Sequence, residues 1–272
     1  MALDIKQGPR AKKSLGQNFL QDKNTANRIV DALHITSEDY VIEIGPGPGA
    51  LTHLIHERKP EWFTILEKDN HWAHEHKRQP PAGEPELQVV LTDALLFSWE
   101  NLTKDKPWKV IGNLPYNVAS PLMWDILSKA SGLQRAVFMI QKEVGDRIVA
   151  APSTKQYGAL SVWIQSFCKP RREFIVPPTV FVPRPKVDSA VLSFVPLPVE
   201  KRDFDADALS WLLKVTFQQR RKQLQKILKS CVKEGAAEAL EKAGVEGSAR
   251  PETLSIRQFQ LLADALKMCP KK

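Results

Sequence analysis

The chain has little cysteine and no long apolar run. Its three cysteines, Cys168, Cys231 and Cys269, lie far apart with no CxxC pair, which leaves neither a disulfide framework nor a cysteine-based zinc site to expect. No stretch of about 18 apolar residues occurs, so no membrane-spanning helix is expected. The opening MALDIKQGPRAKKSLGQNF lacks the apolar core of a secretory signal, and a cytoplasmic location is expected. There is no internal repeat. His71, His74 and His76 have no acidic or cysteine partners spaced as metal ligands, so no metal site is expected, and their segment reads as a surface helix and loop. One further absence is local: between Ala208 and Lys233 there is no acidic residue at all.

What is present is a basic chain with enough apolar material for a sizeable core. Of its 272 residues 43% are hydrophobic, and the formal charge is +8, which points to an acidic partner, RNA or DNA ahead of a membrane surface. Ala26, Ile29, Val30 and Leu33 repeat at helical spacing behind a cap at Asp22 or Asn24. The pattern then alternates strand, turn and helix. YVIEIG, WFTILEKD, LQVVLTDA, WKVIGN, RAVFMIQ, LSVWIQSF and DSAVLSFVP read as strands with helical segments between most of them, which predicts a parallel α/β sheet covered on both faces. Around Pro196 to Asp205 the composition shifts to helix alone. A first domain over 1–200 and a small helical domain over 201–272 are expected, the second dominated by DALSWLLKVTFQQRRKQLQKILKSCVK. In that segment Leu224, Ile227, Leu228 and Cys231 share one helical face, and Lys222, Lys226, Lys229 and Lys233 the opposite one. Solvated faces ordinarily mix signs to gain i,i+4 pairs, so the unmixed stripe reads as a phosphate-contacting surface, to which Arg220 and Arg221 add.

The chemistry is expected at four strand ends. EIGPGPGA places Gly45, Gly47 and Gly49 where a strand gives way to a helix, a turn that lets a ligand approach the backbone. Glu67 follows at the next strand end, placed to accept from a ribose diol, and Asp93 at the one after, suited to the exocyclic amine of an adenine. These features alone fit S-adenosylmethionine and a nicotinamide dinucleotide equally, and a tight turn with no ligand stays open beside them. The fourth strand end carries Asn113-Leu114-Pro115-Tyr116. The Asn113 side-chain carbonyl and the Leu114 backbone carbonyl could hold an adenine amine, with Pro115 fixing the turn and Tyr116 offering a face to the base. Phe181, in a loop stiffened by prolines 177, 178, 183 and 185, is a candidate for the opposite wall around a flipped-out base, with Arg184 and Lys186 as flanking phosphate contacts.

The longer motifs LGQNFLQD (15–22), EIGPGPGALT (43–52), GNLPYNVASPL (112–122), FMIQKEV (138–144), VPPTVFVPRPKVDSAV (176–191) and FQQRRKQL (217–224) carry a more specific signal. With them the sequence resembles the ribosomal RNA adenine N6-dimethyltransferases along almost its whole length, most closely their bacterial small-subunit branch. The resemblance implies a Rossmann-like class I methyltransferase domain that uses S-adenosylmethionine, a small all-helical C-terminal domain that binds RNA, and dimethylation of two adjacent adenosines near the 3′ end of 16S ribosomal RNA within the immature small subunit. A monomer is expected. The resemblance also implies that Asn18 and Leu20, together with Gly45, Gly47, Glu67, Asp93 and Asn113, bind the cofactor, and that Asn113 to Tyr116 with Phe181 form the adenine site. Large-subunit methyltransferases of the erythromycin-resistance type share the Asn-x-Pro-Tyr logic and are the nearest alternative. A noncatalytic ribosome assembly factor and a nicotinamide oxidoreductase are the others.

Overall fold

In a computed structural model that describes residues 17–115 and 118–267, Phe19–Leu20 forms a two-residue strand, β1. Helix α1 (Lys23–Asp31) follows, and Asp22 is its cap: the carboxylate accepts from the Thr25 amide at 2.7 Å. Then come β2 (Tyr40–Ile44), α2 (Thr52–Glu57), β3 (Trp62–Glu67), α3 (Asn70–Arg78), β4 (Leu87–Leu91), β5 (Trp108–Asn113), α4 (Ala119–Lys129) and β6 (Leu133–Gln141). The alternation continues through α5 (Lys142–Ile148), α6 (Ala159–Phe167), β7 (Cys168–Val176), β8 (Phe181–Val182) and β9 (Ser189–Pro196). Four helices close the described chain, α7 (Ala206–Phe217), α8 (Leu224–Cys231), α9 (Ala236–Lys242) and α10 (Ile256–Lys267).

Seven strands form one sheet in the order β4-β3-β2-β5-β6-β9-β7. The pairs β4·β3, β3·β2, β2·β5 and β5·β6 are parallel, as the continuous apolar runs predicted, but β9 runs antiparallel to β6. The sheet is therefore mixed. Its order reverses between β2 and β5, so the chain leaves a crevice beyond their carboxyl ends, the place where open α/β sheets take ligands. Val41, Ile55, Phe63, Ile65, Ile111, Val137 and Met139 are buried in one core with Ile29 and Val30 of α1.

The segment LSVWIQSF, expected as a strand, is helix α6. A short apolar run cannot separate the two by periodicity, and here the deciding contact is local: the Gly158 amide donates to Ser161 Oγ at 3.0 Å at the helix start. Cys168–Val176, which follows it, is a strand that the sequence reading did not contain.

The chain divides into two compact units, 1–145 with 170–196, and 146–169 with 197–272. The C-terminal stretch of the second starts at 197, four residues before the 201 expected, and this unit also takes in 146–169. Within it Tyr157 is fully buried and its hydroxyl donates to the Leu254 carbonyl at 2.9 Å. The basic segment is divided: α7 ends at Phe217, and 218–223 form a turn before α8. Leu224, Ile227 and Leu228 are buried as predicted. Only Lys226 and Lys229 lie on α8, however, while Lys222 sits in the turn and Lys233 beyond the helix end. The four lysines are therefore not one helical stripe.

Candidate active site

Four strands that lie side by side deliver the polar groups. In sheet order, Asp93 follows β4, Glu67 ends β3, Gly45 follows β2 and Asn113 ends β5, and all four line one pocket. The register explains the coincidence: Ile44 pairs with Leu66 and with Gly112, so the neighbouring strands finish at the same level.

Gly47 forms the wall between them. Its φ is +51°, a conformation that suits glycine, and a Cβ there would stand 3.1 Å from the Phe19 ring. Its amide donates to Glu67 Oε2 at 3.1 Å, and the Asp69 amide donates to the other carboxylate oxygen at 2.7 Å. Burial pushes the Glu67 carboxyl above its usual range, and these two amides act against that shift. The carboxylate is thus fixed in orientation by backbone, 5% exposed, with lone pairs still able to accept from a diol. Asp93 is held differently. Lys68 Nζ donates to its Oδ2 at 2.6 Å and the Leu95 amide to its Oδ1 at 3.0 Å, and the lysine contact holds its carboxyl below the usual range.

Asn113 donates from Nδ2 to the Asn18 carbonyl at 3.0 Å. The tie fixes the amide flip and makes Oδ1 the acceptor that the side chain has to offer. Asn18 therefore reaches the site through its backbone. Leu20 is 5% exposed and also lines the pocket. The Leu114 amide donates to the Met139 carbonyl at 3.0 Å, and the Pro115 carbonyl accepts from the Val118 and Ala119 amides at the start of α4, so Leu114 and Pro115 are each fixed by backbone hydrogen bonds. Tyr116 lies outside the described residues.

Phe181 is not in the pocket. β8 pairs antiparallel with β1, Leu20 opposite Phe181, and the Phe181 ring is 1% exposed among Leu20, Val176 and Val191 in the core. The strand pairing turns inward a ring that both loop composition and the family resemblance had suggested for the adenine site. Arg184 and Lys186 beyond it are exposed. Arg220, expected to touch phosphate, instead pairs with Glu252 and donates to the carbonyls of Lys155 at 2.9 Å and Thr154 at 3.1 Å. Its guanidinium fastens that unit's own loops. Arg221, Lys222, Lys226 and Lys229 are exposed. No group of three or more potential metal ligands is found among the described residues, and none of their helices is long and apolar enough to cross a membrane.

Under the turn lies Glu43, 1% exposed, which accepts from Thr52 Oγ1 at 2.8 Å. Burial pushes its carboxyl up to about 8, against the Thr52 bond and with Glu67 adding to the rise. The unfolded chain ionises this group near the ordinary value of 4.5, so across that window the folded state holds a proton that the unfolded state has lost, and stability falls as pH rises, by at most about 1.4 kcal/mol per unit. Glu43→Gln should remove that slope. Thermal unfolding at pH 5 and pH 8 should show the variant gaining on the wild type with rising pH, and a difference independent of pH would refute a buried neutral Glu43.

With this geometry in place, the sequence pattern of the family described as ribosomal RNA adenine dimethylase matches residues 8–267. The chain belongs to that family. A relative from Oleidesulfovibrio alaskensis, named ribosomal RNA small subunit methyltransferase A, is 64% identical over 95% of this chain and 92% of its own length. Among solved structures, a dimethyladenosine transferase from Plasmodium falciparum superposes with a TM-score of 0.77 at 25% identity, covering 90% of this chain and 95% of its own. The 23S rRNA methyltransferase ErmE gives 0.65 at 25% identity, covering 92% and 100%. The fold is that of the class I methyltransferases. Among the lining residues that the sequence reading had not singled out are Gln17, Phe19, Pro46, Lys68 and Leu95. Their residue types carry no signal of their own, and the pairing of β1 and the ends of β2, β3 and β4 bring them there.

Proposed function

We infer that this chain transfers methyl groups from S-adenosylmethionine to N6 of two adjacent adenosines in a hairpin near the 3′ end of 16S ribosomal RNA, giving N6,N6-dimethyladenosine. The observation that carries the reading is the fixed Asn113 amide at the end of β5, beside a glycine turn and two strand-end carboxylates. The small-subunit target is supported by the name of a relative 64% identical over nearly the whole chain. Against the oxidoreductase alternative stands the family membership.

The pocket suits the methyl donor on its own terms. Glu67, oriented by two amides, can accept from a ribose diol, and Asp93, one strand along, from an adenine amine. Bound there, S-adenosylmethionine supplies an electrophilic sulfonium methyl. The chain's task is to present the nucleophile. An adenine amine is a weak one because its lone pair is delocalised into the ring. The Asn113 Oδ1 and the Leu114 carbonyl accept its two N–H groups and favour the tetrahedral shape that frees the lone pair. Pro115 fixes the carbonyls, and Tyr116 carries the base. The methylated nitrogen is acidic enough to lose its proton to water, so no side-chain base is needed.

The target within the cell is taken to be a small subunit still in assembly, in the cytoplasm, met by a monomer of this chain. Arg184 and Lys186, with Arg221, Lys222, Lys226 and Lys229, supply phosphate contacts in this reading. Replacing Lys226 and Lys229 together by glutamine should weaken RNA binding and flatten the plot of log K against log salt by roughly 0.7 to 0.9 per lysine. An unchanged salt slope in a titration would remove both from the interface. The function itself is tested by offering isolated small and large subunits with radiolabelled donor. Label should enter the small-subunit RNA, and label confined to the large-subunit RNA would favour the erythromycin-resistance type.

A further inference from the structure

The three histidines of the segment after Glu67 do not share one environment. His74 is exposed and His71 half-buried, whereas His76 is 3% exposed, so it does not belong to a surface helix face as its composition had suggested. Helix α3 places Trp72 and His76 one turn apart, on the same face. Trp72 meets the Phe19 ring edge-on, centroids 5.6 Å apart, and Phe19 in turn lies against Gly47. His76 reaches the same residue directly, its Nε2 standing 2.8 Å from the Gly47 carbonyl oxygen in a buried contact. A carbonyl can only accept, so Nε2 carries the hydrogen.

Gly47 is thereby held at both of its polar groups, its amide by Glu67 Oε2 at 3.1 Å and its carbonyl by His76. The same ring limits a second residue of the turn. A Cβ on Gly49, whose φ is +89°, would come within 3.2 Å of His76 Cε1, so the imidazole occupies the space a side chain would need. Without a donor at position 76, the buried Gly47 carbonyl would lose its partner, and the backbone adjustment that finds it another would shift residue 47, whose own amide is held by Glu67.

We propose that His76 is a positioning residue for the methyl donor: it hooks the Gly47 carbonyl from α3 and so fixes both the glycine turn and the Glu67 carboxylate that form the donor's pocket. The assignment rests on the pocket being the S-adenosylmethionine site. It makes the donor's affinity depend on a residue that never touches the donor, while the adenine side of the site, built on β5, stays independent of it.

Two variants separate this role from packing. His76→Leu keeps much of the volume and removes the donor, and His76→Gln returns an N–H at similar reach. Calorimetric titration with S-adenosylmethionine, steady-state kinetics and thermal unfolding are read together on all three proteins. For His76→Leu the dissociation constant should rise about ten-fold, equivalent to about 1.4 kcal/mol, with KM for the donor rising in step while kcat at saturating donor and KM for RNA stay near the wild type. His76→Gln should recover most of the affinity. Wild-type affinity in His76→Leu overturns the proposal. So does equal weakening in both variants with a matching fall in Tm, because the histidine would then only fill space. A wild-type protein that bound no S-adenosylmethionine would overturn the pocket assignment itself, and this role with it.

Discussion

Replacing Asn113 with alanine is expected to lower methyl transfer by about 10²- to 10³-fold in kcat, the cost of removing one oriented acceptor from a pre-organised site, while RNA affinity stays nearly unchanged. The side chain stands at the carboxyl end of β5 with its Nδ2 committed to the Asn18 carbonyl, so its remaining Oδ1 acts on the substrate. The phosphate contacts proposed for the RNA lie on other residues, which is why binding and turnover should separate. Asn113→Asp would keep an oxygen for the amine but set a carboxylate against the Asn18 carbonyl, so it should also be strongly impaired. Retained turnover in the alanine variant, measured by methyl incorporation under single-turnover conditions, would end the proposed role.

The second large effect is expected at Glu67. Its two oxygens accept from the amides of Gly47 and Asp69, and an amide side chain in its place must turn an NH₂ toward one of those N–H groups. Glu67→Gln should therefore both disturb the turn and remove the charge offered to the ribose diol, weakening S-adenosylmethionine by about 10- to 100-fold, the range for hydrogen bonds to charged groups. Isothermal titration checks this, and KM for the donor should move with the dissociation constant. Unchanged affinity would take Glu67 out of the donor site.

Most of the site was legible because it rests on strand ends. The buried runs YVIEI, WFTILE, LQVVL and WKVIGN fix where β2 to β5 finish, and parallel neighbours that finish level bring Gly45, Glu67, Asp93 and Asn113 together whatever the details of the helices. What pattern could not give depends on partners distant in sequence. Phe181 sits in a proline-rich stretch that reads as a loop, and only its pairing with Leu20, far back in the chain, turns its ring inward. Arg220 belongs to a basic run, yet a carboxylate at Glu252 and two carbonyls on another loop claim its guanidinium. His76 falls among charged and polar neighbours, and the contact that buries it is a carbonyl 29 residues earlier. The helix α6 was misread for a different reason, since a run of eight residues, LSVWIQSF, apolar and small apart from Gln165, satisfies either period, and the register of a capping serine decides between them.

The central claim is that this pocket places two methyl groups on each of two neighbouring adenosines of the small-subunit RNA. The most direct measurement is mass-spectrometric sequencing of that RNA after incubation of small subunits lacking the modification with this protein and S-adenosylmethionine. The account expects two adjacent N6,N6-dimethyladenosines near the 3′ end and none after incubation with Asn113→Ala. Methylation at another base, or only in large-subunit RNA, would contradict it.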